Sequence, residues 1–352
     1  MANMVNILLA TNVVTFICLL FLVLYYKIPL KLYLRINKFV MKYVREPKYC
    51  ISNFLRIINH NGRLLDVGCG NNSPYNIKMS YPNIVYTGVD VGDYNQTAPN
   101  LADNYIVVKP EEFAEAIANL PEFYDTVISS HNLEHCNDRE KTLDAMINKL
   151  KPGGYLYLSF PTEESINFPG PRKGCLNYYD DSSHNGTPPN YNKIISTLKV
   201  NKMRILFAKR SYKPFFAYLY GFFQEARSKK DQEVKIGTWA YWGFETIIWA
   251  KKECPIQLEG WGPPETTRGK EVNVQPNGRS ALWIKVNNSC SFGQVYIEFG
   301  SVRVRSEAVV APGLLTALIP SKVIDTPGKY IVSIVEKDTG RKTPVGIFAV
   351  HP

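Results

Sequence analysis

Hydrophobic and polar positions follow three successive regimes along the chain. Val5–Tyr26 is a run of 22 mostly apolar residues, and no charged side chain stands between Met1 and Tyr26. A helix needs about 20 such residues to cross a bilayer core, which predicts a transmembrane anchor within residues 1–26. In residues 27–49, Ile36, Phe39, Val40, Tyr43 and Val44 recur at helical spacing, with Arg35, Lys38, Lys42 and Arg45 between them. That period predicts a basic amphipathic helix that Pro47 ends. Over residues 50–253, short β-rich runs alternate with helical stretches. Strands are predicted at Arg63–Val67, Ile84–Asp90, Tyr105–Val108, Thr126–Ser130, Tyr155–Phe160 and Thr246–Lys251, and the clearest helix is Arg139–Leu150. Alternation of this kind implies an α/β fold with a doubly wound parallel sheet.

Residues 254–270 are rich in Pro and Gly and predict a linker. Beyond it, residues 271–352 turn to strands without helices, at Glu271–Val274, Ser280–Val286, Gln294–Phe299, Val302–Val304, Leu314–Ile319, Tyr330–Glu336 and Val345–Val350. Short strands at that density predict a C-terminal β-sandwich. Pro327-Gly328-Lys329-Tyr330 and the Val/Ile alternation after it resemble the late strands of immunoglobulin-like or IPT/TIG-type modules.

Charge sharpens the picture at the N-terminus. The chain carries a net charge of +10, but Lys27, Lys31, Arg35, Lys38, Lys42, Arg45 and Lys48 fall in one short segment opposed only by Glu46. So local a concentration suits anionic lipid headgroups and excludes a broad nucleic-acid face. The apolar run lacks the basic start of a cleaved signal peptide, and its charges come after it. The positive-inside bias then predicts a single-pass membrane protein whose catalytic domain faces the cytoplasm. Seven cysteines stand singly, with no C-x-x-C pair, which predicts a reducing compartment and no disulfide framework.

Candidate chemistry sits where the strands end. Asp66-Val67-Gly68-Cys69-Gly70-Asn71-Asn72 follows the first strand, and Asp90 closes the second, 20 residues past Gly70. Glycines there allow close backbone approach to a ligand, and a carboxylate at the second strand's end can hold both ribose hydroxyls of a nucleoside. A dinucleotide site would want a third glycine, which this turn lacks. Asp66 also favours a ligand with a positive centre over one bearing phosphates.

LLDVGCGNN, VYTGVDVG, YDTVISSHNLEHCND and LKPGGYLYLSFP, in that order over about residues 60–190, resemble the class I S-adenosylmethionine-dependent methyltransferases of type 11/23. The resemblance implies a Rossmann-like sheet of seven strands, with S-adenosylmethionine as cofactor. It implies that Asp66, Gly68 and Gly70 line the methionine part and that Asp90 holds the ribose. The family's acidic contact to adenine falls at Lys109-Pro110-Glu111, making Glu111 the candidate. Ser130 and His131 would border the cofactor and face the acceptor.

His184 and His131 are the candidate catalytic residues, since a hydroxyl acceptor calls for a base that titrates near neutrality. D-x-x-H segments like Asp181–His184 border the acceptor pocket in the family that this chain resembles. A loop-stabilising histidine bonded to Asp180 or Asp181 is the alternative. His135 reads as structure or cofactor support. Asp180, Asp181 and His184 could also gather a divalent ion, but such sets are common in loops and no metal is expected. Arg172 and Lys173 read as solvated charge, with an anionic acceptor as the alternative. Trp239, Tyr241, Trp242 and Phe244 could stack on a sugar or lipid, or pack a hairpin.

The sequence thus predicts a membrane-anchored methyltransferase acting on a saccharide or lipid-linked glycan hydroxyl, with no nucleic-acid partner. The opposing expectation is an inactive membrane-tethered scaffold with a methyltransferase-like fold.

Overall fold

The computed structural model describes residues 38, 41–70, 72–93, 97–254, 256–287, 295–311, 313–337 and 340–352. The anchor expected over 1–26 and most of the basic segment lie outside them. Among the described residues, no helix is long and apolar enough to cross a membrane.

The α/β unit starts with a short helix, α1 (Ile51–Leu55), and continues through β1 (Arg63–Val67), α2 (Ser73–Ser80), β2 (Val85–Asp90) and β3 (Asn104–Val107). Then come α3 (Phe113–Ala118), β4 (Tyr124–Ser130), α4 (Arg139–Lys149) and β5 (Leu150–Pro161). The unit closes with α5 (Tyr191–Val200), β6 (Met203–Lys209), α6 (Phe215–Asp231), α7 (Thr238–Trp242) and β7 (Glu245–Lys252). Seven strands form one sheet in the order β3-β2-β1-β4-β5-β7-β6.

The strands are central because they are apolar on both faces. Leu65 and Val67 of β1 pack on one face with Phe113, Ile117, Leu143 and Met146 from α3 and α4. Leu64 points the opposite way, to a second cluster with Phe54, Leu55 and Ile77 from α1 and α2. Period-two alternation therefore divides one strand between two cores. Asp138 starts α4 by accepting the Lys141 backbone N–H at 3.0 Å, which satisfies one otherwise orphaned donor.

An all-parallel sheet is not what forms. β7 pairs antiparallel with both β5 and β6. The run at 203–209, where no strand was predicted, supplies the edge strand β6. From β1 the chain builds outward to β3 and then returns to β4 on the other side of β1. That reversal opens a crevice at the carboxyl ends of β1 and β4, the switch point of an open α/β sheet.

The C-terminal unit is a β-sandwich with more strands than expected. Four strands, β8 (Leu258–Gly262), β10 (Ala281–Val286), β13 (Glu307–Ala311) and β14 (Leu314–Leu318), make one sheet in the order β13-β14-β10-β8. The other has the order β12-β11-β15-β16-β9, from β9 (Glu265–Thr267), β11 (Val295–Phe299), β12 (Val302–Arg305), β15 (Gly328–Glu336) and β16 (Lys342–His351). A short helix, α8 (Ser321–Ile324), precedes β15. Leu282, Ile284 and Leu315 of one sheet share a core with Ile297, Phe299, Ile334 and Phe348 of the other.

Residues 254–270 are therefore no linker, since they carry β8 and β9. Within them Gly262 packs closely, since a Cβ there would stand 3.1 Å from the Trp283 ring. A Cβ on Gly346 would stand 2.4 Å from Trp261, so that glycine lets the Trp261 ring lie against β16. Glu271–Val274 forms no strand beyond an isolated bridge from Val274 to Ser280. The expectation of no disulfide is also corrected at Cys254, which is disulfide-bonded. Cys50, Cys69, Cys136 and Cys175 are free thiols.

Candidate active site

Two adjoining cavities open at the switch point. One, of about 690 Å³, is lined by Gly68, Gly70, Asp90, Ser130, His131 and His184 among others. The second, of about 520 Å³, shares Gly68, Gly70 and Ser130, and reaches Asp66 and Ser73. Their sizes fall in the range of small-molecule sites, about 300–1,000 Å³.

Gly68 turns the chain after β1 with φ of +80°, and a Cβ there would stand 2.5 Å from Asn132. Position 68 is thus closed to any side chain on two counts, backbone and space. Asp90 is buried at the end of β2, and one of its carboxylate oxygens accepts the Val91 backbone N–H at 2.7 Å. Asp66 is buried beneath the turn, with Oδ2 accepting from Ser73 Oγ at 2.5 Å and Tyr86 OH at 2.6 Å. Burial raises its carboxyl to about 6, against the pull of those two donors and with a further push from Asp90. A glycine turn, a buried acid at the end of β2 and a carboxylate that gains by meeting positive charge suit S-adenosylmethionine.

Glu111 does not join them. It is exposed and absent from the crevice wall, where its neighbours Pro110 and Phe113 stand instead. The turn into α3 directs the acid to water and the rings inward, so this wall contacts a ligand through apolar surface. Ser130 lines both cavities and shares a 3.0 Å hydroxyl contact with Ser159.

His131 adopts φ of +51°, a conformation that non-glycine residues hold mostly where function or packing demands it. Its Nδ1 lies 3.2 Å from Glu134 Oε1 and its Nε2 2.9 Å from Glu245 Oε1. Burial opposes its protonation, but the two carboxylates outweigh it and lift the imidazole to about 10. The ring packs 5.1 Å from Trp239. With both nitrogens engaged and the proton held, His131 positions neighbours and is ill suited to accept a proton.

His184 differs in each respect. Its Nδ1 meets the Tyr178 carbonyl at 2.6 Å. A carbonyl only accepts, so the proton sits on Nδ1 and Nε2 keeps its lone pair. Burial lowers its proton affinity below the ordinary value. The loop that carries it is tied to the segment after β4: Asn185 donates to the Glu134 carbonyl at 2.8 Å through its backbone N–H. Asn185 Nδ2 reaches the His135 carbonyl at 2.6 Å, and the Arg139 guanidinium donates to the Asn185 and Thr187 carbonyls. His135 and His184 thereby come together, with ring centroids 4.8 Å apart.

Asp180, Asp181 and His184, weighed above as a set that could gather an ion although none was expected, do not come together as one among the described residues. Asp180 Oδ2 instead accepts backbone N–H groups of Arg172, Leu176 and Asn177, closing its own loop. Glu134, His135 and His184 gather in its place, with potential ligand atoms within 4.8 Å of one another. Glu134 went unnoticed in the sequence as a site residue, because only folding buries it fully. Arg172 is no surface charge: it is buried and forks onto Glu225 at 2.7 and 3.0 Å. Of the four aromatic residues before β7, Trp239 and Phe244 line the crevice. Tyr241 packs on Tyr218 and Phe222, and Trp242 on Phe168.

Comparison with known proteins bears on the family. Over 104 residues the chain is 35% identical to a ubiquinone biosynthesis O-methyltransferase of Saccharophagus degradans, covering 28% of this chain and 42% of that one. An uncharacterized protein of Methanocaldococcus jannaschii is 31% identical over 115 residues, covering 31% of this chain and 30% of that one. The chain thus spans less than half the length of these curated relatives. Among solved structures, a SAM-dependent methyltransferase from Archaeoglobus fulgidus is 17% identical with a TM-score of 0.39, covering 62% of this chain and 99% of that one. Another, from Mesorhizobium loti, is 14% identical with a TM-score of 0.40, covering 56% of this chain and 96% of that one. A methyltransferase-domain family profile matches residues 42–248, more than half of the chain and nearly all of its α/β unit. The chain belongs to that methyltransferase family, and its cofactor is S-adenosylmethionine.

Proposed function

We propose that this protein is a membrane-anchored O-methyltransferase acting on a hydroxyl of a saccharide or lipid-linked glycan. One observation carries the reading: the Gly68–Asp90 cradle opens into the same crevice as His184, whose Nδ1 meets the Tyr178 carbonyl and so leaves Nε2 as the nitrogen that can accept a proton. When bound, S-adenosylmethionine supplies an electrophilic methyl carbon. What falls to the chain is to orient the acceptor oxygen and take up its proton. In this reading His184 Nε2 performs both tasks, and Trp239 and Phe244 offer an apolar wall for a sugar face or lipid. The O-methyltransferase relative supports an oxygen acceptor.

Residues 1–26 would anchor the chain, with the basic flank and catalytic unit on the cytoplasmic side. The Cys254 disulfide is the observation opposing that side, because such bonds persist in oxidising compartments. Glycans on the sequons at Asn71, Asn95, Asn185 or Asn287 of the expressed chain would reverse the orientation. The β-sandwich reads as an accessory module for binding or dimerisation, immunoglobulin-like in that its last strand, β16, pairs parallel with the early strand β9.

The test is transfer of labelled methyl from S-adenosylmethionine to membrane glycan extracts. His184→Ala should cut turnover at least tenfold and leave cofactor affinity nearly unchanged. Equal loss of both would remove His184 from the acceptor side. Absence of cofactor binding by calorimetry would favour the inactive scaffold.

A further inference from the structure

We propose that Glu134, His135 and His184 form a binding site for one divalent transition-metal ion of the zinc class at the acceptor end of the crevice. The three are brought together by the clasp between the segment after β4 and the loop at 177–187. Their potential ligand atoms lie within 4.8 Å of one another. A point equidistant from three atoms at that separation lies about 2.8 Å from each. Zinc bonds nitrogen at about 2.0–2.1 Å, so each ligand has less than about 1 Å to move.

The hydrogen bonds around the two rings are those of metal ligands. A ligating histidine commonly donates its second ring N–H to a carbonyl, which fixes both tautomer and direction. His184 Nδ1 meets the Tyr178 carbonyl at 2.6 Å, and His135 Nδ1 meets the Ser183 carbonyl at 3.2 Å. Both rings thus keep Nε2 as a bare donor. Glu134 completes the set. Its Oε1 is engaged by His131, whereas Oε2 is fully buried with no hydrogen-bond partner among the described residues. An orphan carboxylate oxygen in a dry site costs free energy that a cation would recover.

Two histidines and one carboxylate leave a fourth tetrahedral position open, the pattern of catalytic rather than structural zinc. Asp181 borders the site, with Oδ2 4.0 Å from His184 Nε2. The open position adjoins the cavity, where an acceptor hydroxyl could bind the ion and be polarised. This use of the ion rests on the methyltransferase reading, but its binding does not. With the ion bound, His184 Nε2 holds metal in place of the proton assigned to it above, and the proton of the cation-polarised acceptor hydroxyl passes to the bordering Asp181 carboxylate and on to solvent.

The experiment titrates Zn²⁺, and Co²⁺ as a spectroscopic probe, into chelator-stripped full-length protein in detergent. One ion per chain is expected, with visible Co²⁺ absorption of a tetrahedral site and a rise in melting temperature on adding Zn²⁺. His135→Ala and His184→Ala should each weaken Zn²⁺ binding at least tenfold, whereas His60→Ala, remote from the site, should leave it unchanged. Cofactor calorimetry on the same stripped samples reports folding and keeps the two readings separable. Sub-stoichiometric binding in a stripped protein that still binds cofactor would overturn the proposal. So would Zn²⁺ affinity that both histidine variants leave intact.

Discussion

Replacing Asp66 by Asn removes a charge that folding takes out of water while keeping the shape of the protonated acid. Burial lifts the Asp66 carboxyl from its ordinary value of 3.8 to about 6 in the folded protein. A carboxyl raised in this way contributes stability below its unfolded value and loses it as pH climbs through the folded one. At about pH 8 the wild type therefore carries a penalty of about 3 kcal/mol, falling to about half of that at pH 5. Asn pays neither, and its carbonyl oxygen can still accept from Ser73 and Tyr86. For a unit of this size, about 2–4 °C per kcal/mol gives a melting temperature higher by about 6–12 °C at pH 8, and about half that at pH 5. Thermal unfolding of both full-length proteins without cofactor, at the two pH values, is the assay. A gain that does not grow with pH, or a loss at pH 8, would refute the reasoning. The same variant should bind S-adenosylmethionine at least tenfold more weakly, since the ionised acid attracts the cofactor's positive charge. Stability would thus rise as function falls, the usual exchange at a site strained for a ligand.

Gly68→Val should abolish cofactor binding by calorimetry, because its Cβ would meet Asn132 at 2.5 Å in a left-handed backbone conformation; retained affinity would show that the turn lies outside the cofactor site. Asp90→Ala should weaken cofactor binding by about 1.5–3 kcal/mol through loss of charged hydrogen bonds, with little change in melting temperature. Arg172→Met should lower stability by about 3–5 kcal/mol in denaturant titration, because it strands Glu225 beside a buried site. Trp239→Ala should raise the acceptor KM in the methyl-transfer assay while cofactor affinity holds, since the ring forms crevice wall beyond the cradle.

By itself the sequence determined the elements whose information is local. β1 matches its predicted bounds, and β2, β3 and β4 shift by one or two residues at their ends. Runs of apolar residues bounded by turn chemistry define such strands before any partner is known. Gly68 and Asp90 were legible for the same reason: turn and carboxylate each follow directly from a strand. Only the tertiary structure decided what depends on residues far apart in the chain. The antiparallel β7 finds its place by pairing with β5 and β6, and no local signal carries strand direction. Tryptophan packing turned an apparent linker into two sandwich strands. His184 lies about 50 residues beyond the adjacent pair Glu134 and His135 and meets them because Arg139 and Asn185 fasten one loop to another. Burial likewise decided that Arg172 is a strut and that Glu111 faces water. Desolvation and neighbouring charge are set by three-dimensional surroundings, so the protonation of Asp66 and His131 became readable only once those surroundings were in place.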